Sequence, residues 1–298
     1  MGFRTRIEEY RQACRIHGSV FGFLAVSMAL RLVRLPIPSK KLRLGIYRTL
    51  YGKKYPALDE NELEVPMADF PSVNALFTRG VKPELRPIAD ATHQFLCPCD
   101  GRIQDFGRIE NDTILTVKGI EYSVPSLLAT KEAASGNGHA PLPSFDRGHF
   151  AIIFLSPSDC HRIFAPQAGQ LERVEHVPGY RLLVHPPYQR KEFPVFTLNE
   201  RMVFHLATPL GRCALVMVAG WGVGNITLPI DPDFRPRKRQ LSHKTYEPAR
   251  PLQPGQWLAT FELGSTAILI TDASLPLRAA IDRDEKVKYG QPLFTRES

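Results

Sequence analysis

What the chain has little of narrows it first. Its 298 residues include five cysteines. Cys14, Cys97, Cys99, Cys160 and Cys213 are odd in number and lack framework-like spacing, which predicts reduced thiols in a cytosolic compartment rather than a disulfide scaffold. Cys97 and Cys99 stand one residue apart with no second pair, so a zinc site is not expected and no metal is assigned. There is no GxGxxG or P-loop pattern and no internal repeat. The apolar stretch Val20 to Leu30 is too short to span a bilayer, which takes about 20 residues. Glu8 and Glu9 and the lack of a small-residue cleavage site argue against a secretory signal, and Arg6 stands where myristoylation needs Ser or Thr.

Acidic residues are scarce in one place. Residues 1–54 hold 12 Lys or Arg against 2 acidic residues, so the net charge of +8 arises there and the remainder is slightly acidic. Val20 to Leu30 followed by Arg31, Arg34 and "KKLRLGIYRTLYGKK" predicts a helical segment that lies on an anionic membrane, basic side chains near phosphates and aliphatic ones in the acyl boundary. The competing reading is a helical hairpin packed on the protein's own core with a solvated basic face. Bulky aliphatics and no recognisable motif leave nucleic acid out as a partner.

What the chain does have is 26 prolines and, from about residue 95, short β-branched runs such as "FAIIFLS", "RMVFHLAT" and "CALVMVAGWGVGNITL" separated by turn residues. Residues from Lys131 read as a loop. The expectation is an α+β protein: a basic, helical, membrane-associating region over 1–90, then a mainly antiparallel β catalytic domain over 91–298. The oligomeric state, a homodimer included, stays open.

Three places look like chemistry. "FELGSTAILI" carries Gly264-Ser265-Thr266 inside an apolar strand pattern, where a kinked strand is the plain explanation. "LSPSDCHRIFAP" puts Asp159, His161 and Arg162 after an apolar strand, and "CPCDGRI" puts Asp100 in an Asp-Gly turn. Together they supply a hydroxyl, a base and a carboxylate, the parts of an activated nucleophile.

With "FPSVNALFTRGVKPELRPI", "PCDGRI", "VKGIEYSVPSLL", "LSPSDCHRIFAP", "LNERMV", "VMVAGWGVGNI" and "FELGSTAILI" in this order, the chain resembles the phosphatidylserine decarboxylases from about residue 70 to its end. The resemblance implies that Ser265 attacks the Gly264 carbonyl and that the chain cuts itself between 264 and 265. This would give a β chain of 1–264 and an α chain of 265–298 that begins with a pyruvoyl group. It also implies a Schiff base between that self-derived cofactor and phosphatidylserine, release of carbon dioxide and phosphatidylethanolamine, and residence as a peripheral protein on the cytoplasmic face of the cell membrane. Asp100, His161 and Ser265 are the catalytic residues so implied.

The chain departs from the family at Phe164, where many members have the second histidine of the loop, assigned to self-cleavage. His161 can serve both steps if Asp100 or Asp159 orients it with a pKa near the working pH, or His149, His185 or His205 can take over, or processing is lost. The last case would leave a silent membrane-binding relative. A serine hydrolase is disfavoured because no Gly-x-Ser-x-Gly elbow is present. A decarboxylase for a soluble amino acid is disfavoured by the basic, apolar N-terminus. Arg79, Lys118 and Arg162 are head-group candidates that could equally be structural ion-pair partners.

Overall fold

The computed structural model describes residues 11, 28, 31–54, 58–129, 144–185, 189, 194–220, 226–236, 240–262 and 265–297, and of Lys53, Lys54 and Ser265 the backbone alone. Eight strands rich in Val, Ile, Leu and Phe form one antiparallel sheet: β2 (Gly101–Arg108), β5 (His149–Leu155), β7 (Gly169–Val177), β8 (Arg201–Thr208), β9 (Gly211–Ala219), β11 (Ser242–Leu252), β13 (Ser265–Thr271) and β15 (Lys286–Val287). They lie in the order β11-β7-β8-β9-β13-β5-β2-β15. β13 is therefore interior, paired along its whole length with β5 on one side and β9 on the other.

Smaller sheets cover this one. β1 (Gln94–Leu96), β14 (Leu277–Ala279) and β16 (Pro292–Arg296) make one three-stranded sheet in the order β1-β16-β14. β6 (Arg162–Phe164), β10 (Ile226–Thr227) and β12 (Trp257–Phe261) make another in the order β10-β12-β6. β3 (Thr113–Leu115) and β4 (Glu121–Ser123) form a hairpin, with Gly119 at φ 65° in the connecting turn. Because side chains alternate across a strand, Ala267 and Leu269 enter one apolar cluster with Ile163, Phe261 and Phe294, while Ile268 and Ile270 enter another with Tyr122, Phe150 and Phe196. With both faces covered, the central strands read as continuous apolar runs rather than alternating ones.

The helices are few. α1 (Lys40–Lys54) is the one long helix described, and α2 (Val73–Phe77), α3 (Val124–Leu127) and α4 (Val195–Leu198) are single turns. Ser72 and Ser123 cap α2 and α3 by accepting from the backbone N–H of Ala75 and Ser126. The expectation of a mainly antiparallel β architecture with some helix is borne out. For α1 the competing reading of the basic segment applies. Tyr47 and Tyr51, four residues apart, are buried against Leu63, Met67, Phe70 and Leu76, and the Tyr47 hydroxyl donates to the Phe70 carbonyl at 2.8 Å. Lys40 and Lys41 stay exposed. Of Val20 to Leu30 only Met28 is described, and no helix among the described residues is long and apolar enough to cross a membrane. The loop expected from Lys131 lies largely outside the described residues. Cys97, Cys99, Cys160 and Cys213 are buried free thiols, as the spacing predicts.

"FELGSTAILI" is not one kinked strand. β12 ends at Phe261 in the small sheet and β13 begins at Ser265 in the large one, so the segment is a corner at which the chain changes sheets. Gly264 lies outside the described residues.

Candidate active site

Residue 265 opens the interior strand, opposite Leu155 of β5 and Ala219 of β9. Its neighbour Thr266 is fully buried, and the Thr266 hydroxyl has no hydrogen-bond partner among the described residues. The loop that follows β5 brings up the histidine. Asp159 accepts from both the N–H and the hydroxyl of Ser156, each at 2.7 Å, which closes a tight turn. Burial pushes the Asp159 carboxyl up, against the pull of these bonds.

His161 comes next and is wholly inaccessible. Its Nδ1–H donates to the Asp159 carbonyl at 2.9 Å, and its ring lies 3.8 Å from that of Phe77. The bond at Nδ1 fixes the tautomer and leaves Nε2 as an acceptor, which has no partner among the described residues. Burial, with Arg79 nearby, lowers the pKa of His161 to about 3. The His161 carbonyl accepts from Phe261 N–H at 3.0 Å, one hydrogen bond from the strand that leads into the corner.

Asp100 is held elsewhere. Its carboxylate takes Arg86 Nε at 3.1 Å and Nη2 at 2.7 Å, and its Oδ1 also takes the Tyr289 N–H at 2.9 Å. Glu62 binds the same guanidinium at 2.7 Å and Lys288 at 2.9 Å, and these contacts, the Arg86 hydrogen bond foremost, bring its pKa to about 2. Phe164 stacks on Tyr289 at 3.8 Å and 19°. An aromatic pair thus occupies the ground beside Asp100.

Two expectations are corrected here. Neither Asp100 nor Asp159 orients His161 through its carboxylate: the first is committed to Arg86, the second to Ser156, and a backbone carbonyl does the orienting. Nor does His161 have a pKa near neutrality, because nothing charged offsets its burial.

The alternative histidines separate by register. His149 pairs with Thr271, six residues along β13 from Ser265, about 20 Å away at strand rise. His205 is level with Ile270, two strands over, and its Nε2 meets Glu175 at 3.3 Å. His185 is nearer: its ring meets Phe154 edge-on at 5.0 Å, and Phe154 pairs with Thr266. Arg162 bridges to Glu64 at 2.8 Å and lies over the Trp257 ring, while Arg79 donates to the carbonyls of Leu76 and Ser158. These contacts are structural. In the Lys118 segment, Tyr122 stacks on Phe196 and Ser123 is a helix cap, so that motif builds the fold.

Arg86, Tyr289 and Phe77 were missed by the sequence reading. Arg86 stands in the quoted "ELRPI", but nothing in the text ties it to Asp100. Tyr289 is 189 residues from Asp100, with no local signal. No group of three or more His, Cys, Asp or Glu suited to a metal occurs among the described residues.

Fold and site together define a class: a layered antiparallel β protein with a serine at the head of its central strand and a shielded, neutral imidazole close to the corner before it. The family model of phosphatidylserine decarboxylase matches residues 73–295. Proteins named phosphatidylserine decarboxylase proenzyme are similar over most of the chain. That of Anaeromyxobacter sp. (strain K) is 32% identical over 273 residues, 89% of this chain and 90% of its own. That of Myxococcus xanthus is 34% identical over 80% and 81%, and that of Verminephrobacter eiseniae 38% over 76% and 80%. The chain belongs to the phosphatidylserine decarboxylase family.

Proposed function

We propose that this protein is a self-processing phosphatidylserine decarboxylase that cuts its Gly264–Ser265 bond and carries the pyruvoyl group that Ser265 becomes. The observation that carries this reading is the place of residue 265. The backbone is clamped by ladders on both sides from Ser265 onward, while the chain passes from the small sheet to the large one between Phe261 and Ser265, a span whose glycine suits a bend. The surroundings suit a small carbonyl group made from the chain itself: among the described residues neither the buried Thr266 hydroxyl nor His161 Nε2 has a hydrogen-bond partner. A pyruvoyl group at this point supplies a ketone that condenses with the substrate amine and draws electrons as carbon dioxide leaves.

The residues divide the work. His161 is the proton acceptor, through Nε2, because its other nitrogen is committed and burial keeps it neutral. Asp100 is a positioning residue. Through Arg86 and the Tyr289 N–H it ties the turn before β2 to the segment 286–291. Phe164 takes no part in proton transfer.

The substrate lies in a membrane, and the N-terminal segment suits a peripheral protein at its cytoplasmic face. Leu32, Leu35 and Leu42 are exposed beside the basic residues, and Arg34 reaches Glu262 at 3.2 Å, two residues before Gly264. An apolar, basic surface thus sits next to the reacting bond.

The deciding measurement is the intact mass of the denatured protein with and without a carbonyl-reactive reagent. Chains of residues 1–264 and 265–298 are expected, the shorter one gaining the reagent, with Ser265→Ala uncut. A single full-length chain that persists on anionic vesicles would overturn the reading in favour of a silent membrane-binding relative.

A further inference from the structure

A cavity of about 460 Å³ lies between β8, β10 and the turns that follow β10, and nothing above uses it. Two pairings fix its position. Glu200 on one wall accepts through its carbonyl from Ala219 N–H at 2.9 Å, and Ala219 is the register partner of Ser265. Ile226 on another wall pairs with Phe261, three residues before Gly264. Two strand spacings, about 10 Å, therefore separate the wall from residue 265. His161 stands on the far side of β12 from β10.

Both acidic groups of the cavity are paired, and of Asp231 only Oδ1 makes no hydrogen bond among the described residues. Glu200 meets His176 Nε2 at 2.9 Å and Arg181 at 2.8 Å, which hold its carboxyl below the usual range despite burial. Asp231 takes the Tyr246 hydroxyl at 2.8 Å and Lys244 at 2.6 Å. Besides His176 Nδ1, Asp231 Oδ1 and Thr227, what remains for a ligand is the apolar surface of Met202, Ile226, Leu228 and Phe234, together with Arg235. That guanidinium is exposed and makes no hydrogen bond or ion pair among the described residues.

A largely apolar chamber with one unpaired cation among its described lining residues suits an anionic group joined to hydrocarbon better than a small zwitterion, which would leave the apolar surface unused. We infer that this cavity receives the glycerol and first acyl methylenes of the phospholipid, with Arg235 at the phosphodiester, while the serine end reaches residue 265. An extended head group spans a comparable length. The assignment rests on the decarboxylase reading and adds to it the feature that separates a lipid-linked serine from the free amino acid.

The test uses the processed full-length enzyme, two amines and reductive trapping with cyanoborohydride, read as mass gained by the 265–298 chain. Dihexanoyl phosphatidylserine is expected to half-trap at a concentration about 100-fold below that of free L-serine. Arg235→Gln and Phe234→Ser should each raise the lipid value about 10-fold and leave the serine value unchanged. The serine arm separates loss of this pocket from general damage to the site. Equal trapping of both amines by the parent enzyme, or variants that move both amines alike or neither, would overturn the assignment. An uncut chain, seen beforehand as one full-length mass, overturns the underlying reading and this assignment with it.

Discussion

Burial decides the character of His161. With its folded pKa near 3 against an ordinary value of 6.5, the imidazole stays neutral throughout the working range. Between about pH 5 and pH 8 the rate of self-cleavage should therefore show no step that vanishes in a His161 variant, and His161→Ala should slow cleavage by about 100-fold or more. The same depression has a stability sign. The folded state binds fewer protons here than the unfolded chain, so the contribution is complete above about pH 6.5 and drains away as pH falls toward 3. Urea unfolding of wild type and His161→Leu at pH 7 and pH 4 should accordingly shift in favour of the variant by about 3 kcal/mol at the lower pH. Residue types were legible in the sequence at this scale, since Asp100, His161 and Ser265 all sit near one end of the sheets. Their partners were not, because a carbonyl rather than a carboxylate orients His161, and every residue has a carbonyl.

At the scale of elements, the Arg86 fork joins three separate stretches of chain: Glu62 before the sheets, Asp100 at the entry to β2, and the turn that carries Lys288 and Tyr289. Arg86→Ala would leave the nearly buried Asp100 without a cation, Glu62 keeping only Lys288, and should cost about 3 kcal/mol by urea titration. Phe164→His tests whether the missing histidine matters by itself. Because both Asp100 oxygens already accept from Arg86, the new imidazole finds no free carboxylate. Cleavage followed on denaturing gels should stay within about threefold of wild type. The strands were readable from their β-branched runs. The corner in "FELGSTAILI" was not, since a chain changing sheets and a chain kinking within one carry the same apolar flanks around a glycine. What tells them apart is the pairing of Phe261 with Ile226 and of Ser265 with Ala219, and both partners lie tens of residues away.

For the whole molecule, composition placed the positive charge in the first 54 residues but not the surface it would occupy. α1 divides that charge from its own aromatic face, which packs inward, so the proposed membrane attraction would be chiefly electrostatic around a few exposed leucines. Flotation with anionic vesicles should fall at least about tenfold between low salt and half-molar salt, as the Debye length contracts from about 10 Å to a few ångströms. Vesicles of neutral lipid should recover little protein under either condition.

The central position of β13 has one more consequence. Cutting before residue 265 would leave the 34-residue product supplying the middle strand of the large sheet, the short edge strand β15, and two of the three strands of the β1-β16-β14 sheet. Such a fragment has no route out except global unfolding, so its departure rate is the unfolding rate of the fold. Isotopically labelled and unlabelled molecules mixed after maturation should keep their original short chains indefinitely under native conditions. Each molecule keeps for life the fragment it made for itself.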